Sequence, residues 1–595
     1  MKSIVHILMD GVGTFNIGAT PTRNSPTPFL DKMMENCIFA SNMQTQGPYT
    51  EAAWVSQLGG EKTLQHGGYL LGLNTVSKTL AESLNEKGYK TLSVSSFGVA
   101  SNGSLRGIDE AIDVSTFSNA ALKAYRLEYY RDIFLKGELN EFDIGICERL
   151  LRDMFEAQCL QLSNIIDNSG RTKLLTPYYK FNEKYDFTAI LEQVLCQKTE
   201  FEKSEKEYIK GLLTQWDKHP LFSIPTVDLS QKASLETKAT IRQEYTNIIG
   251  QWQDKCGGLA RKNIHLPIKY LINLFNSEDV DLRSRLGKIK AVAKTLGKLH
   301  RGNSLKDNAL ENYGKEKACV SAQSQLQFFE EKILEMDREN KKYYTYIHLE
   351  DFHLPSTFFT YDTDDLDLVR SELADGQSYI DGLPSNYDGN IESDLSVRYL
   401  DRKLEKFVNN ILGTVKNEVV FVVTADHGNP FYHKPIRPNW RNVCYENFTI
   451  PFIMFGNGVP NIQCGRATSS VDIIPTILYY SGNEIGKDYT GQVIGSDNFV
   501  LKPVGAEYMG AGCPDYTRRE ICYSMMNENY KVGVKVLLAE DVTPQSICEI
   551  YNLKKDNGLD LYNLYKKERG NPEVQQLLEE ISKRHKEIQK ALAVN

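Results

Sequence analysis

No stretch of this 595-residue sequence approaches the ~20 consecutive apolar residues that a membrane-spanning helix needs. Cysteine is sparse and unpatterned: there are eleven, an odd number, and no Cys-x-x-Cys pair, which fits reduced thiols rather than a disulfide frame. A large excess of either charge is missing too. The formal net charge is −8, with 41% hydrophobic and 25% charged residues, a balance that excludes disordered and collagen-like chains and a generic nucleic-acid binder. No internal repeat or low-complexity linker is evident. The first predicted strand starts at Ile4 and delivers a carboxylate at Asp10, which leaves no room for a cleavable export signal. The expectation is a cytoplasmic enzyme of two or three domains, because a chain this long exceeds one simple core.

Chemistry concentrates where predicted strands end. Val419 to Val423 is an apolar run that stops at Thr424-Ala425-Asp426-His427-Gly428, so two hard ligands arrive together at the carboxyl end of a buried strand. A divalent ion is the sharp reading, and a satisfied Asp-His pair at a turn is the plain one. Ile4 to Met9 is a second such run, ending at Asp10-Gly11-Val12-Gly13. Gln46-Gly47-Pro48-Tyr49-Thr50 sets a hydroxyl after a Gly-Pro turn and before a helix-compatible stretch. There Thr50 serves either as a nucleophile beside the positive end of a helix or as an ordinary N-cap. Tyr344 to His353 alternates like a strand, with Asp351 and His353 on one predicted side and Pro355 ending it. His348 shares a period-two face with Glu350, deeper in the strand, and reads as a locally packed or hydrogen-bonded residue.

In order along the chain, Asp10, Thr27-Pro28-Phe29-Leu30-Asp31, Thr50, Gln57-Leu58-Gly59-Gly60, His66-Gly67 and the Thr79–Thr91 segment resemble the sulfatase branch of the alkaline phosphatase superfamily. Thr424 to Gly428 resembles that family's metal-binding Asp-His-Gly. Ile450-Pro451-Phe452-Ile453 resembles its following strand, and Val471 to Thr476 its helix-opening signature. The resemblance implies an α/β fold: an alkaline phosphatase-like α/β/α sandwich with a large helical insertion and a small C-terminal α+β subdomain. Its expected parts are residues 1–115 and 336–500 as the two halves of the core, 116–335 as the insertion and 501–595 as the subdomain.

One departure separates reactions. A sulfatase of this family oxidises a Cys or Ser within Cys/Ser-x-Pro-x-Arg to formylglycine, whereas this chain has Thr50-Glu51-Ala52-Ala53-Trp54, and Ser95-Ser96-Phe97-Gly98 stands where a lysine often follows. Threonine-dependent members of the superfamily instead carry out phosphorus chemistry. The resemblance therefore implies Thr50 as nucleophile, with Asp10, Asp426, His427 and the Thr50 oxygen as ligands of one or two divalent ions. Such a mixed oxygen and nitrogen set suits zinc or manganese, and magnesium is compatible. It also implies an active-site role for His353, as donor to the phosphoryl group or as ligand of a second metal. In that case Asp351 and His433 are further candidate ligands. His66 lies in a loop that is near the nucleophile in relatives and is a candidate substrate contact. Arg518 is another, because a guanidinium matches phosphate geometry.

Helical periodicity dominates 116–335, broken by Pro177, Pro220, Pro225 and Pro267, and a segment of that size is a domain rather than a loop. It reads as a lid or acceptor-binding wall, with a structural or dimerising role as the competing view. Within it, Leu282, Leu286, Ile289, Val292, Leu296 and Leu299 make an apolar stripe among seven basic residues, which suits peripheral contact with an anionic membrane or simple burial of the stripe. The expected reaction is metal-dependent transfer of a phosphoryl or substituted-phosphate group through a phosphothreonine. The donor is a phosphate ester and the acceptor a hydroxyl on a glycan, its nucleotide- or lipid-linked precursor, or a small molecule. Hydrolysis of phosphate diesters or monoesters is the alternative within the class. A non-catalytic scaffold on the same fold is the alternative outside it.

Overall fold

The computed structural model describes residues 1–21, 23–66, 72–74, 76–95, 103–114, 119–177, 179–225, 320–352, 366–384, 387, 389–428, 445–509, 520–556 and 564–593, with scattered positions from 229 to 250. In chain order its strands are β1 (Ser3–Met9), β2 (Ile38–Gln44), β3 (Lys90–Ser95), β4 (Glu110–Asp113), β5 (Tyr179–Phe181), β6 (Leu229–Gln231), β7 (Tyr343–Leu349) and β8 (Val419–Thr424). They continue with β9 (Thr449–Gly456), β10 (Ile462–Cys464), β11 (Thr468–Ser469), β12 (Val504–Tyr508), β13 (Glu520–Met526), β14 (Tyr530–Leu537) and β15 (Ile547–Asn552).

The core sheet runs β10-β2-β9-β8-β1-β7-β3-β4, with β11 pairing β2. All pairings are parallel except those of β9, which is antiparallel to both β2 and β8. Every residue of β1, β7 and β8 is buried, the signature of a sheet covered on both faces. The helix Ile391–Thr414 contacts both Pro28–Met34 and Ala322–Arg338, and Thr50–Gly59 contacts both Leu80–Asn85 and Ile473–Tyr480. Together with the sheet they bury one continuous core. The architecture is the expected α/β/α sandwich with a helical insertion and a small C-terminal α+β subdomain.

Parallel order brings the functional ends together. In register, Leu8 lies beside His348 on one side and Thr424 on the other. Two residues on, Asp10 and Asp426 leave adjacent strands at the same edge. The helix Thr50–Gly59 starts after the loop that follows β2, which runs parallel to β1, so it opens at that edge as well.

A second apolar cluster belongs to the insertion, built by the helices Asn119–Leu135, Glu141–Ile166, Phe187–Lys203 and Glu205–Thr214 around Phe155, Val194 and Phe201. Ala52 is part of this cluster and Tyr49 packs against it, so the insertion braces both sides of Thr50. The helix Ala322–Arg338, whose Phe328, Phe329 and Ile333 read in sequence as part of the insertion, packs in the sheet's core instead. The basic helical stripe at 282–301 lies outside the described residues. In the C-terminal subdomain, the antiparallel sheet β12-β13-β14-β15 buries one face against the helix Pro572–Ala593.

Candidate active site

Tyr49, in extended conformation at φ −139° and ψ 157°, is the N-cap of the helix that follows, so Thr50 is its first residue and not its cap. Freed from capping, the Thr50 hydroxyl donates to Asp10 Oδ2 at 3.4 Å. Two glycines hold this helix in place. A Cβ on Gly47 would fall 2.4 Å from the Cβ of Ala52, and Gly60 ends the helix in the left-handed region at φ +67°, its N–H returning to the Ser56 carbonyl. The amide of Gln57 donates to the carbonyls of Ala425 at 2.9 Å and Asp426 at 3.2 Å, tying the nucleophile helix to the end of β8.

Asp426 Oδ1 accepts the backbone N–H of Gly11 at 3.0 Å and of His427 at 2.8 Å. Its Oδ2 is buried and has no hydrogen-bond partner among the described residues. His427 Nε2 lies 3.5 Å from that oxygen and 3.9 Å from Asp10 Oδ1. His427 Nδ1 sits 2.8 Å from the Gly428 carbonyl, which can only accept. The proton is therefore on Nδ1, and Nε2 faces two carboxylate oxygens. That arrangement needs either a second proton or a cation between the nitrogen and the oxygens, and a backbone carbonyl fixing the far ring nitrogen is the usual setting of a ligating histidine.

His348 is the residue that the sequence reading misplaced. It does not merely pack within its strand, for Nε2 reaches across to Asp10 Oδ2 at 3.0 Å, fully buried. Its ring stands edge-on to Trp54 at 6.1 Å. Ligand atoms of Asp10, His348 and Asp426 lie within 4.8 Å of one another. Period-two alternation from Leu8 and Thr424 puts all three on one face, and that signal becomes visible once β7 is placed beside β1.

Burial alone would pull both histidines down. For His348 the hydrogen bond to Asp10 and the charges of Asp10, Glu350 and Asp426 win, leaving its pKa above the ordinary value. His427 is raised as well, by Asp426 and Asp10 against its own burial. The site thus draws positive charge to itself, and the donor set of two carboxylates, a hydroxyl and imidazole nitrogen fits a divalent cation.

Other candidates fall elsewhere. Asp351 turns away from the cluster: both its oxygens take the backbone N–H of Ala322, at 3.0 and 3.2 Å, where the helix Ala322–Arg338 begins. The strand ends at Leu349, so alternation no longer governs where Asp351 points. His353, His433 and Arg518 lie outside the described residues, as does the His66 side chain at the end of the short Thr63–His66 helix.

A family model described as Sulfatase matches residues 2–181 and 272–482. Among solved structures, one similar chain is an alkaline phosphatase superfamily protein from Vibrio parahaemolyticus, 10% identical over 96% of this chain and 87% of that one, with a TM-score of 0.42. The lipoteichoic acid synthase LtaP from Listeria monocytogenes is 12% identical over 99% and 91%, with a TM-score of 0.43. The protein yidJ from Bacteroides fragilis is 9% identical over 100% and 98%, with a TM-score of 0.48. No curated protein matches the sequence. The family model spans more than half of the chain and both strand ends that carry the site: this protein belongs to the sulfatase family.

Proposed function

We propose that this protein is a metal-dependent phosphotransferase in which Thr50 is the nucleophile, passing a phosphoryl or substituted-phosphate group to a hydroxyl on a glycan, its carrier-linked precursor or a small molecule. The observation that carries the reading is the Thr50 hydroxyl 3.4 Å from Asp10 Oδ2, at the start of a helix and beside the Asp10, His348 and Asp426 cluster. A threonine at this position cannot yield formylglycine, which argues against sulfate-ester chemistry of the family's usual kind.

Zinc or manganese bound by Asp10, Asp426, His427 and Thr50 would lower the hydroxyl's pKa and neutralise the phosphoryl oxygens. Asp10 Oδ2 is placed to take the hydroxyl hydrogen as the Thr50 oxygen bonds to phosphorus. The bond from phosphorus to the donor's alcohol breaks, and the departing oxygen takes a proton from solvent. The positive end of the Thr50–Gly59 helix favours the anionic group beside Thr50. Gln57 holds the Asp426 end of β8 against the nucleophile helix, and the Gly11 N–H ties Asp426 to the end of β1. His348, through Asp10, is a positioning residue. In the second half the acceptor hydroxyl attacks the phosphothreonine and restores Thr50. Water as acceptor would make the same site a phosphodiesterase or phosphatase.

Among the described residues no helix is long and apolar enough to cross a membrane, so the acceptor would reach Thr50 without a spanning anchor on that part of the chain. The test is intact-mass spectrometry of metal-loaded protein quenched during turnover of bis(p-nitrophenyl) phosphate, alongside the monoester and an aryl sulfate. An adduct mapping to Thr50 and absent from Thr50→Ala is expected. Aryl-sulfate turnover with no phosphorylated protein would overturn the reading, and bound metal with no turnover of any ester in the presence of diverse acceptors would favour the scaffold alternative.

A further inference from the structure

A cavity of about 310 Å³ lies between the core and the C-terminal subdomain, with Gln46, Lys62, Asp472, Phe499, Lys502 and Glu507 in its walls. None of Asp10, Thr50, His348, Asp426 or His427 lines it. Most of its charges are already committed. Glu507 takes Arg584 Nε at 2.7 Å and Nη2 at 2.6 Å, and the Leu64 N–H at 2.9 Å, so both its oxygens are occupied. Asp472 spends one oxygen on the Ser469 N–H and the other on the Gln492 N–H, and burial pushes its carboxyl up to about 6. Lys62 and Lys502 are different: among the described residues neither ammonium forms an ion pair or a hydrogen bond, and both stand exposed at the cavity.

Two ammonium groups facing one small cavity, neither held in an ion pair or hydrogen bond among the described residues, select an anion, and Phe499 adds an aromatic wall on which the apolar face of a sugar ring can rest. The volume stands at the lower end of the ~300–1,000 Å³ typical of ligand sites, which suits one substituted monosaccharide and is too small for a nucleotide sugar. We propose that this cavity is a second binding site, separate from the Thr50 site, for a monosaccharide unit bearing a phosphate or sulfate, the acid group between Lys62 and Lys502. The Gln46 carbonyl accepts the Glu507 N–H at 3.0 Å, so the site abuts the segment that leads to Thr50 four residues later.

Calorimetric titration of full-length Thr50→Ala protein, stripped of metal with a chelator, isolates this cavity from the reaction and from the transferase reading. The probes are glucose 6-phosphate, glucose and inorganic phosphate. Saturable binding of glucose 6-phosphate is expected, with about tenfold weakening for each of Lys62→Gln and Lys502→Gln, the loss of one charge-assisted contact. Glucose should not bind, and phosphate should bind at least about tenfold more weakly than the sugar ester. Both lysines are exposed and, among the described residues, form no ion pair or hydrogen bond, so the melting temperature should move little. Unchanged affinity in the double variant, or absence of saturable binding, would overturn the site. Phosphate binding as tightly as the sugar ester would overturn the sugar and leave only an anion locus.

Discussion

The protein buries acidic side chains in two kinds of place, at the carboxyl edge of the sheet and at joints between elements, and it treats them differently. At three joints both carboxylate oxygens have hydrogen-bond donors. Asp394 takes Arg23 at 3.0 Å and the hydroxyls of Tyr379 and Tyr387 at 3.0 and 2.8 Å. Asp401 takes the N–H groups of Phe29 and Leu30, both at 2.9 Å, at the start of the Pro28–Met34 helix. Glu507 takes Arg584 twice. At the sheet edge, Asp426 keeps one buried oxygen without a hydrogen bond among the described residues, 3.5 Å from His427 Nε2. A buried acceptor left unanswered costs roughly 1–3 kcal/mol or more, so an oxygen kept this way beside His427 and Asp10 is held for something that binds.

The contrast breaks most visibly if the two kinds of acid respond alike to neutralisation. Asp426→Asn should abolish turnover by about 10³-fold or more, as for a site whose members act as a unit, and should remove bound metal. The metal-free variant should melt no lower than metal-free wild type, because the substitution removes a buried charge crowded against Asp10 and keeps an oxygen to accept the Gly11 and His427 N–H groups. Metal analysis by mass spectrometry with differential scanning calorimetry checks both halves, and a large drop in melting temperature would mean that Asp426 is structural after all.

Arg584→Met should do the opposite. It leaves Glu507 charged and buried, at an expected cost of about 3–5 kcal/mol, while the ligand cluster stays intact. Urea unfolding followed by fluorescence measures the loss. Metal content should hold at temperatures where the variant remains folded, and loss of metal in folded protein would show that the joint and the site are one unit.

The sheet edge was largely legible in the sequence. The runs Ile4–Met9 and Val419–Val423 appear as β1 and β8, each within a residue of its ends, because a strand buried on both faces has no polar positions to blur it. Thr50 was visible as a hydroxyl before a helix, although the cap is Tyr49. His348 was not, because its partner sits on a strand 338 residues away and a strand's own pattern does not name its neighbour. Asp351 was misdirected for the complementary reason: two residues past the strand's end, its orientation is set by the helix whose first N–H it accepts. The joints were invisible. Glu507 and Arg584 lie 77 residues apart, and no local pattern pairs them.

His348 tests how finely the edge is tuned. As the residue that orients Asp10 at 3.0 Å, it should behave like a partner of a ligand, whose loss typically weakens metal affinity about 10- to 100-fold. His348→Gln keeps a donor within reach of Asp10 and should fall at the low end of that range, with His348→Ala at the high end. Chelator competition gives both values. If the two variants lose equally, the ring binds the ion itself and does not act through Asp10.

The smallest effect belongs to Asp401, a joint acid whose hydrogen bonds do not fully offset its burial, so its pKa is raised to about 7. The fold therefore prefers it protonated. Its contribution is fully present below the unfolded-state value of ~3.9 and is lost as pH rises through about 7. Asp401→Asn cannot ionise, so the stability difference between variant and wild type should drift in the variant's favour from pH 5 to pH 8. Asp472, raised to about 6, titrates in both proteins and cancels from that difference. Melting temperatures of the pair across this window, in metal-free protein, read the drift directly. A constant difference would mean that the two N–H groups keep Asp401 ionised throughout, as complete an answer to its charge as Arg584 gives to Glu507.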